Sequence, residues 1–203
     1  MARPPRFDVH QLLDAAVRRA AAAGPTGVTM SAVAKEVGAP SGSVYHRFDG
    51  RTALLAEVWL RTVERFQEGY LATLEADADV QRAGAAAARQ VVAWARANPE
   101  EAALLLYGAE DFGRPDWPEE LIRRADRGNQ RVYTALASVA AALGAEDPQA
   151  TEGVMLALVD LPLALVRRHL RAGKPLPAHA EDLAEESATA LLSMASATSA
   201  ATG

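Results

Sequence analysis

A short run of hydroxyl, glycine and aromatic residues near the start of the chain has the most specific chemistry in the sequence. Ser41, Gly42 and Ser43 follow a proline, and Tyr45 and His46 come after one apolar residue. The major groove of DNA admits one helix, and small residues on the first turn of that helix let its backbone approach the base edges, where hydroxyls can donate or accept. The run therefore has the composition of a helix that recognises DNA.

Other side chains in the same region are suited to binding phosphate. Thr29, Tyr45, His46 and Arg51 can donate hydrogen bonds from helix edges and from the turn, and phosphate contacts of this kind position a protein on DNA without specifying a sequence. Two alternatives stay open. The Tyr45 ring could pack against the first helix, and His46 could be a solvated surface histidine.

Three short helices are predicted to position these residues. Asp8 and Gln11 form a capping-box pattern at the start of a helix over 8–23. A second helix over 30–37 is predicted to begin after Thr29 and to end at a glycine, and a third over 41–48 to turn Val44 and Phe48 inward. Two short helices joined by the turn 38–40 are typical of a helix-turn-helix.

The rest of the chain also has helical periodicity. An apolar pattern runs from Arg51 for more than twenty residues, and we detect no strand alternation. The sequence predicts an all-α fold of about nine helices, with a helix-turn-helix domain over 1–52 and a ligand-binding and dimerisation domain over 53–203. The further helices are expected at 51–76, 80–97, 99–108, 118–143, 147–171 and 179–195, the fifth of them kinked at Pro162.

The charge of the chain is unevenly distributed. The 203 residues carry 21 Lys and Arg against 26 Asp and Glu. Residues 1–52 nevertheless hold seven basic residues against four acidic ones, and the remainder holds 14 against 22. A basic module on an acidic body is the arrangement expected of a DNA-binding domain joined to a regulatory domain. Chance clustering on a solvated surface is the alternative.

Residues 28–48 resemble the N-terminal signature of the TetR family of transcriptional repressors. The specific part is the segment Tyr45-His46-x-Phe48, followed by Arg51 and two leucines at 54 and 55. The sequence departs from the usual pattern at Pro40, where many members have a serine, and at Gly50, where a polar cap is usual. Glycine is an acceptable cap and proline suits a first turn.

The resemblance implies roles for individual residues and an assembly. It implies a homodimer, in which helices 147–171 and 179–195 form a four-helix bundle with their copies, and a palindromic operator from which a small, largely apolar effector releases the repressor. A buried helix in a monomer is the alternative. Arg3 and Arg6 could reach a minor groove or could be solubilising charges. The residues implied to contact bases are Ser31, Ser41, Gly42, Ser43 and Arg47, and those implied to contact phosphate are Thr29, Tyr45, His46 and Arg51.

Large side chains between the two ends of the chain are candidates for an effector cavity. If several of them converge, they could line an apolar pocket with a few polar handles, although each could equally fill the core. The candidates are Trp59, Phe66, Tyr70, Trp94, Tyr107, Trp117, Tyr133 and Met155.

The sequence offers little support for other classes of function. It has no Glu-x-x-His pair, no Gly-x-Ser-x-Gly elbow and no cysteine, and its four histidines lie far apart. We therefore expect neither an enzyme nor a cofactor or metal site. A helical scaffold would explain the alanine-rich helices but not the basic N-terminal region. Without a signal or membrane-spanning segment, the chain is expected in the cytoplasm.

Overall fold

The computed structural model of the chain describes residues 8–144 and 148–202, without the side chains of residues 41, 148–150 and 197–202. Arg3 and Arg6 lie outside the described residues. Within them every regular element is helical, as the sequence predicts. The α-helices are α1 (Val9–Ala23), α2 (Met30–Val37), α3 (Ser41–Tyr45), α4 (Arg51–Glu75), α5 (Val80–Ala97), α6 (Pro99–Leu104), α7 (Glu119–Ala142), α8 (Pro148–Met155), α9 (Leu161–Arg171) and α10 (Ala180–Thr202).

The helix boundaries differ from the predicted ones at three places. α3 ends at Tyr45 rather than at residue 48, and α6 ends at Leu104 rather than at 108, where the chain continues into the 3₁₀ turn Ala109–Phe112. α10 continues to Thr202 instead of ending at 195. None of the described helices combines the length and apolarity needed to cross a lipid bilayer.

The chain packs into two compact units. Unit 1 consists of Met1–Val63 and Pro99–Asp126, and unit 2 of Glu64–Asn98 and Arg127–Gly203. α4 and α7 each contribute one part to each unit. These are units of packing, so the functional division at residues 52 and 53 stays a prediction.

Unit 1 has one apolar core that includes the helix-turn-helix. Leu12 of α1, Val33 of α2 and Val44 of α3 are fully buried, together with Leu54 of α4. The core continues through α6 to Phe112, which is also fully buried. Burial of these side chains from separate short helices holds the helices in place, since helices this short are marginal in water alone.

Unit 2 is built on the close packing of α5 against α10. A Cβ added to Gly84 of α5 would lie 2.8 Å from Leu192 Cδ1 of α10, so the two helices approach closely at this glycine. The Arg89 side chain donates to Asp182 Oδ1 at 2.5 Å and to Glu185 Oε2 at 3.0 Å. These ion pairs fix the N-terminal turns of α10 on α5.

A π-helical segment, Leu156–Asp160, joins α8 to α9 without a break. The Leu161 N–H bonds to the carbonyl of Leu156. Pro162 follows and has no N–H, so the carbonyl of Leu158, four residues earlier, lacks its usual helical donor. The disturbance predicted at Pro162 therefore takes the form of a π segment just before it.

The hydroxyl of Tyr70 supplies the missing donor. It bonds to the Leu158 carbonyl oxygen at 3.1 Å, and both residues are buried. Burial raises the pKa of the Tyr70 phenol well above its usual value, so the hydroxyl keeps its proton at neutral pH. Tyr70 thereby fixes α4 to the π segment.

Replacing Tyr70 by phenylalanine should destabilise the protein. The Tyr70→Phe variant keeps the ring but leaves the buried Leu158 carbonyl without this donor, so we expect the free energy of unfolding to fall by about 1–3 kcal/mol. Chemical denaturation followed by circular dichroism measures this. Tyr133→Phe is the matched control, because Tyr133 is 61% exposed. Equal stability of the two variants would contradict a structural role for the Tyr70 hydroxyl.

Candidate DNA-binding site

The start of α2 is capped by a side chain that is also exposed. Thr29 Oγ1 accepts from the Ala32 N–H at 3.2 Å and lies 3.3 Å from Ser31 Oγ. This cap satisfies one of the free amides at the helix N-terminus. The predicted cap is confirmed, and Thr29 and Ser31 present neighbouring hydroxyls on the exposed edge of α2.

The turn between α2 and α3 is set by a glycine and a proline. Gly38 has φ 69° and ψ 24°, the left-handed conformation that favours glycine, and the Ala39 N–H bonds to the Ala34 carbonyl at 2.9 Å. Pro40 then precedes the first residue of α3 with φ −58°. The two residues stop α2 and redirect the chain, as the sequence indicated.

α3 has one buried side and one exposed side. Val44 is fully buried and Phe48, just beyond the helix, is 5% exposed. Gly42, Tyr45 and His46 are exposed, and a Cβ added to Gly42 would have no atom within 4 Å. The inward positions predicted for Val44 and Phe48 are therefore confirmed, and the outward side offers unobstructed backbone at Gly42.

Ser43 and Arg47 form a connected pair at the margin of this exposed side. Arg47 Nη1 donates to both the carbonyl and the hydroxyl oxygen of Ser43, each at 3.0 Å, and both residues are half-buried. The hydroxyl of Ser43 thus orients a guanidinium, the group best suited to guanine edges. The side chain of Ser41 lies outside the described residues.

Arg51 has a structural role that the sequence did not reveal. Its Nε donates to the Val28 carbonyl and its Nη2 to the Pro25 carbonyl, both at 2.8 Å. The guanidinium therefore ties the first turn of α4 to the segment between α1 and α2. Its phosphate contact stays a prediction. The guanidinium N–H groups that are not used in these two bonds would make it.

The positive charges of unit 1 differ in how strongly they are compensated. Arg18 Nε donates to Glu36 at 2.8 Å, and Arg19 lies 3.8 Å from the same carboxylate. Lys35, on the last turn of α2, is exposed. The sequence analysis did not single out Lys35, since a lone lysine on a helix surface carries no signal of its own.

The structure assigns three of the candidate effector residues to unit 1. The rings of Trp59 and Trp117 lie 5.6 Å apart, and Trp117 Nε1 donates to the Phe112 carbonyl at 2.9 Å. Trp59 Nε1 is buried without a hydrogen-bond partner in the described part of the chain. Tyr107 is 38% exposed and its hydroxyl lies near the backbone of Gly24.

The other five candidates belong to unit 2. Phe66 packs edge-on against Trp94 at 5.2 Å and stacks on Tyr70 at 6.0 Å, so these three rings form one cluster. Tyr133 is largely exposed and Met155 is half-buried. The effector contacts predicted for all eight residues stay predictions.

Unit 2 contains a groove that the sequence analysis did not predict. It has a volume of about 560 Å³ and lies among α4, the start of α5 and α7. Its lining combines apolar side chains with the hydroxyls of α7, and includes none of the eight candidate residues. It is lined by Leu71, Leu74, Glu75, Val80, Gln130, Arg131, Thr134, Ala135, Ser138 and Val139.

The comparison with known proteins agrees with this geometry. Residues 12–58 match the family model described as bacterial regulatory proteins, tetR family. No curated protein sequence matches the chain. The matched residues extend from α1 into the first turns of α4 and so include the whole helix-turn-helix.

Solved structures share the fold over nearly the whole chain. A TetR family transcription regulator from Marinobacter aquaeolei VT8 has a TM-score of 0.70 at 17% identity, covering 90% of this chain and 93% of that one. The regulator FadR from Bacillus subtilis, in complex with stearoyl-CoA, has a TM-score of 0.67 at 15% identity, covering 92% of this chain and 98% of that one. A transcriptional regulator from Rhodococcus sp. Rha1 has a TM-score of 0.66 at 24% identity, covering 93% of this chain and 95% of that one.

The family match and the shared fold both include the helix-turn-helix of unit 1. Its exposed helix side, its capped turn and its buried anchors are all formed by the matched residues. Residues 12–58 therefore form a helix-turn-helix similar to that of the tetR family, and the chain has the fold of solved TetR-family regulators.

Proposed function

We propose that the protein is a homodimeric repressor that binds a palindromic operator in the cytoplasm and is released by a small, largely apolar effector. The observation that carries the DNA half of this proposal is the open backbone at Gly42, one turn before exposed Tyr45 and His46. A helix turn without a bulky side chain can lie directly against base edges in a major groove.

The individual contacts are proposed from the described side chains and, for Ser41, from its place at the first position of α3. Exposed hydroxyls of α2 and the Ser43–Arg47 pair support base contacts, while side chains at the helix edges support phosphate contacts. The proposed base contacts are Ser31, Ser41, Gly42, Ser43 and Arg47, and the proposed phosphate contacts are Thr29, Tyr45, His46 and Arg51.

Exposed apolar side chains of unit 2 support the homodimer. Leu156 of the π segment is 43% exposed, and Leu183 and Met194 of α10 are 42% and 65% exposed. Large apolar side chains gathered on neighbouring elements favour contact with another protein surface. A twofold dimer also presents two recognition helices to half-sites about one helical turn apart, which a palindrome requires.

The groove in unit 2 supports an effector of mixed character. Its volume of about 560 Å³ falls in the range of small-molecule sites, and its lining has leucine and valine side chains beside hydroxyls and an arginine. Such a lining suits an apolar chain with a polar or anionic end. FadR from Bacillus subtilis is described in complex with stearoyl-CoA, so we propose acyl compounds as the first to be tested.

The proposed coupling between effector and DNA runs through α4. This helix carries Arg51, which holds the segment before α2, and Leu71 and Leu74, which line the groove. An effector that binds more tightly to one position of α4 than to another shifts the population between them. Moving that population from 1:99 to 99:1 requires a difference of about 5.5 kcal/mol in binding free energy.

Selection of bound fragments from a random DNA pool tests the DNA half of the proposal. We expect a palindromic consensus. Ser43→Ala should then change the preferred bases, because it removes a hydroxyl that orients Arg47. A good base contact contributes about 1–3 kcal/mol of discrimination against the wrong base. Tyr45→Phe should lower the affinity for all DNA sequences by about the same factor, because a phosphate contact carries no sequence information. A consensus without twofold symmetry, or no enrichment, would contradict the proposal.

A methyl group at Gly42 should separate DNA binding from folding. Gly42→Ala meets no atom of the protein, so we expect its free energy of unfolding to be unchanged or slightly higher. Its operator affinity should fall at least about tenfold, because the methyl group would stand between the helix backbone and the bases. Fluorescence anisotropy measures the affinity.

Gly108→Ala is the control for this substitution. Gly108 is an exposed glycine of unit 1 outside the helix-turn-helix, and an added Cβ would make only an ordinary contact, 3.8 Å from Asp111 Oδ2. Its operator affinity should stay that of the original protein. If Gly42→Ala binds DNA equally well, the outward side of α3 does not face the bases.

Filling the groove should abolish the effector response. Stearoyl-CoA and free stearate are expected to lower the operator affinity of the original protein. Thr134→Trp, which places a ring in the groove from an exposed position, should bind DNA normally but not respond. Ala137→Trp is the control, because Ala137 is exposed on α7 and does not line the groove. An unchanged response in Thr134→Trp would exclude the groove as the effector site.

A further inference from the structure

One exposed face of α9 carries an acidic residue near its start and a basic residue two turns later. Asp160 stands directly before α9, and Ala164 and Arg167 follow on the same helix face at intervals of four and three residues. All three are exposed, while Pro162 and Val166 on the other side are buried. Leu163, beside Ala164, is half-buried. This set of four residues, Asp160, Leu163, Ala164 and Arg167, is called the α9 stripe.

The two charges of the α9 stripe make no ion pair within the described part of the chain. The acidic groups at the start of α10 are engaged elsewhere, since Asp182 and Glu185 bind Arg89 and Glu181 binds Arg96 at 2.7 Å. Asp160 and Arg167 themselves lie about 10 Å apart along the helix axis, which is too far for them to pair directly. Each is therefore available to a partner outside the protomer.

We propose that α9 packs antiparallel against α9 of a second copy, crossing between Leu163 and Ala164, so that Asp160 of each protomer pairs with Arg167 of the other. Asp160 and Arg167 lie at equal distances on either side of the midpoint between Leu163 and Ala164. A twofold axis through that midpoint brings each acidic group opposite a basic one. The inference rests on the dimer proposed above and adds its register.

The residues at the crossing point fit this register. Ala164 is small and lets two helices approach closely, and Leu163 supplies apolar surface beside the axis. An antiparallel arrangement also sets each Asp160 opposite the other protomer's Arg167. Charge complementarity of this kind selects the register more than it raises affinity.

Charge reversal tests the register through the choice of partner. In Asp160→Arg both reciprocal contacts become Arg against Arg, and in Arg167→Asp both become Asp against Asp. We expect each variant alone to dimerise at least about tenfold more weakly than the original protein. A mixture of the two variants should form heterodimers in preference to either homodimer, because both contacts are then attractive.

Differently tagged variants, mixed and separated by native mass spectrometry, measure the proportions directly. Arg168→Asp is the control: it makes the same charge change on an exposed residue at the flank of the stripe, and it should neither weaken the dimer tenfold nor pair selectively with Asp160→Arg. The double variant Asp160→Arg/Arg167→Asp should dimerise as the original protein does, which excludes misfolding as the cause.

Two results would overturn the inference in different ways. If the original protein is dimeric but the two single variants show no preference for each other, the register is wrong and the proposed dimer stands. If the original protein is monomeric at micromolar concentration, the proposed dimer and its register both fail.

Discussion

A helix of five residues is not stable in water by itself, because its few hydrogen bonds do not offset the cost of nucleation. α3 is such a helix, and its position depends on the burial of Val44 and Phe48 in the core of unit 1. This burial fixes the rotation of α3 and so decides which residues face outward. The left-handed Gly38 and the following Pro40 fix its direction. The DNA recognition proposed for this chain depends on that anchoring.

Buried backbone carbonyls impose a second constraint, and α4 meets it in both units. In unit 1, Arg51 donates to the carbonyls of Pro25 and Val28 between α1 and α2. In unit 2, Tyr70 donates to the carbonyl of Leu158, whose donor is lost at Pro162. Buried carbonyls are costly without a partner, so these bonds position α4 specifically. The coupling through α4 that is proposed above depends on these bonds.

The sequence predicted the features that local rules determine. The cap at Thr29, the stop at Gly38 and the inward positions of Val44 and Phe48 follow from residue preferences and helical periodicity. Long-range contacts do not follow from such rules. The bonds from Arg51, the π segment before Pro162 and the groove beside Leu71 each depend on residues brought together only by the folded chain. Helical periodicity places Trp59, Phe66 and Tyr70 on one face of α4 but does not show what that face meets, so the division of the aromatic residues between the two units could not be predicted.

Dimethyl sulfate footprinting on the selected operator tests the central claim most directly, that the outward side of α3 lies in the major groove in each half of a symmetric complex. The reagent methylates guanine N7, which is exposed in that groove. We expect protection of guanines in two blocks whose centres lie about 35 Å, or one helical turn, apart. Guanines that stay fully reactive in the bound complex, or a single protected block, would contradict this claim.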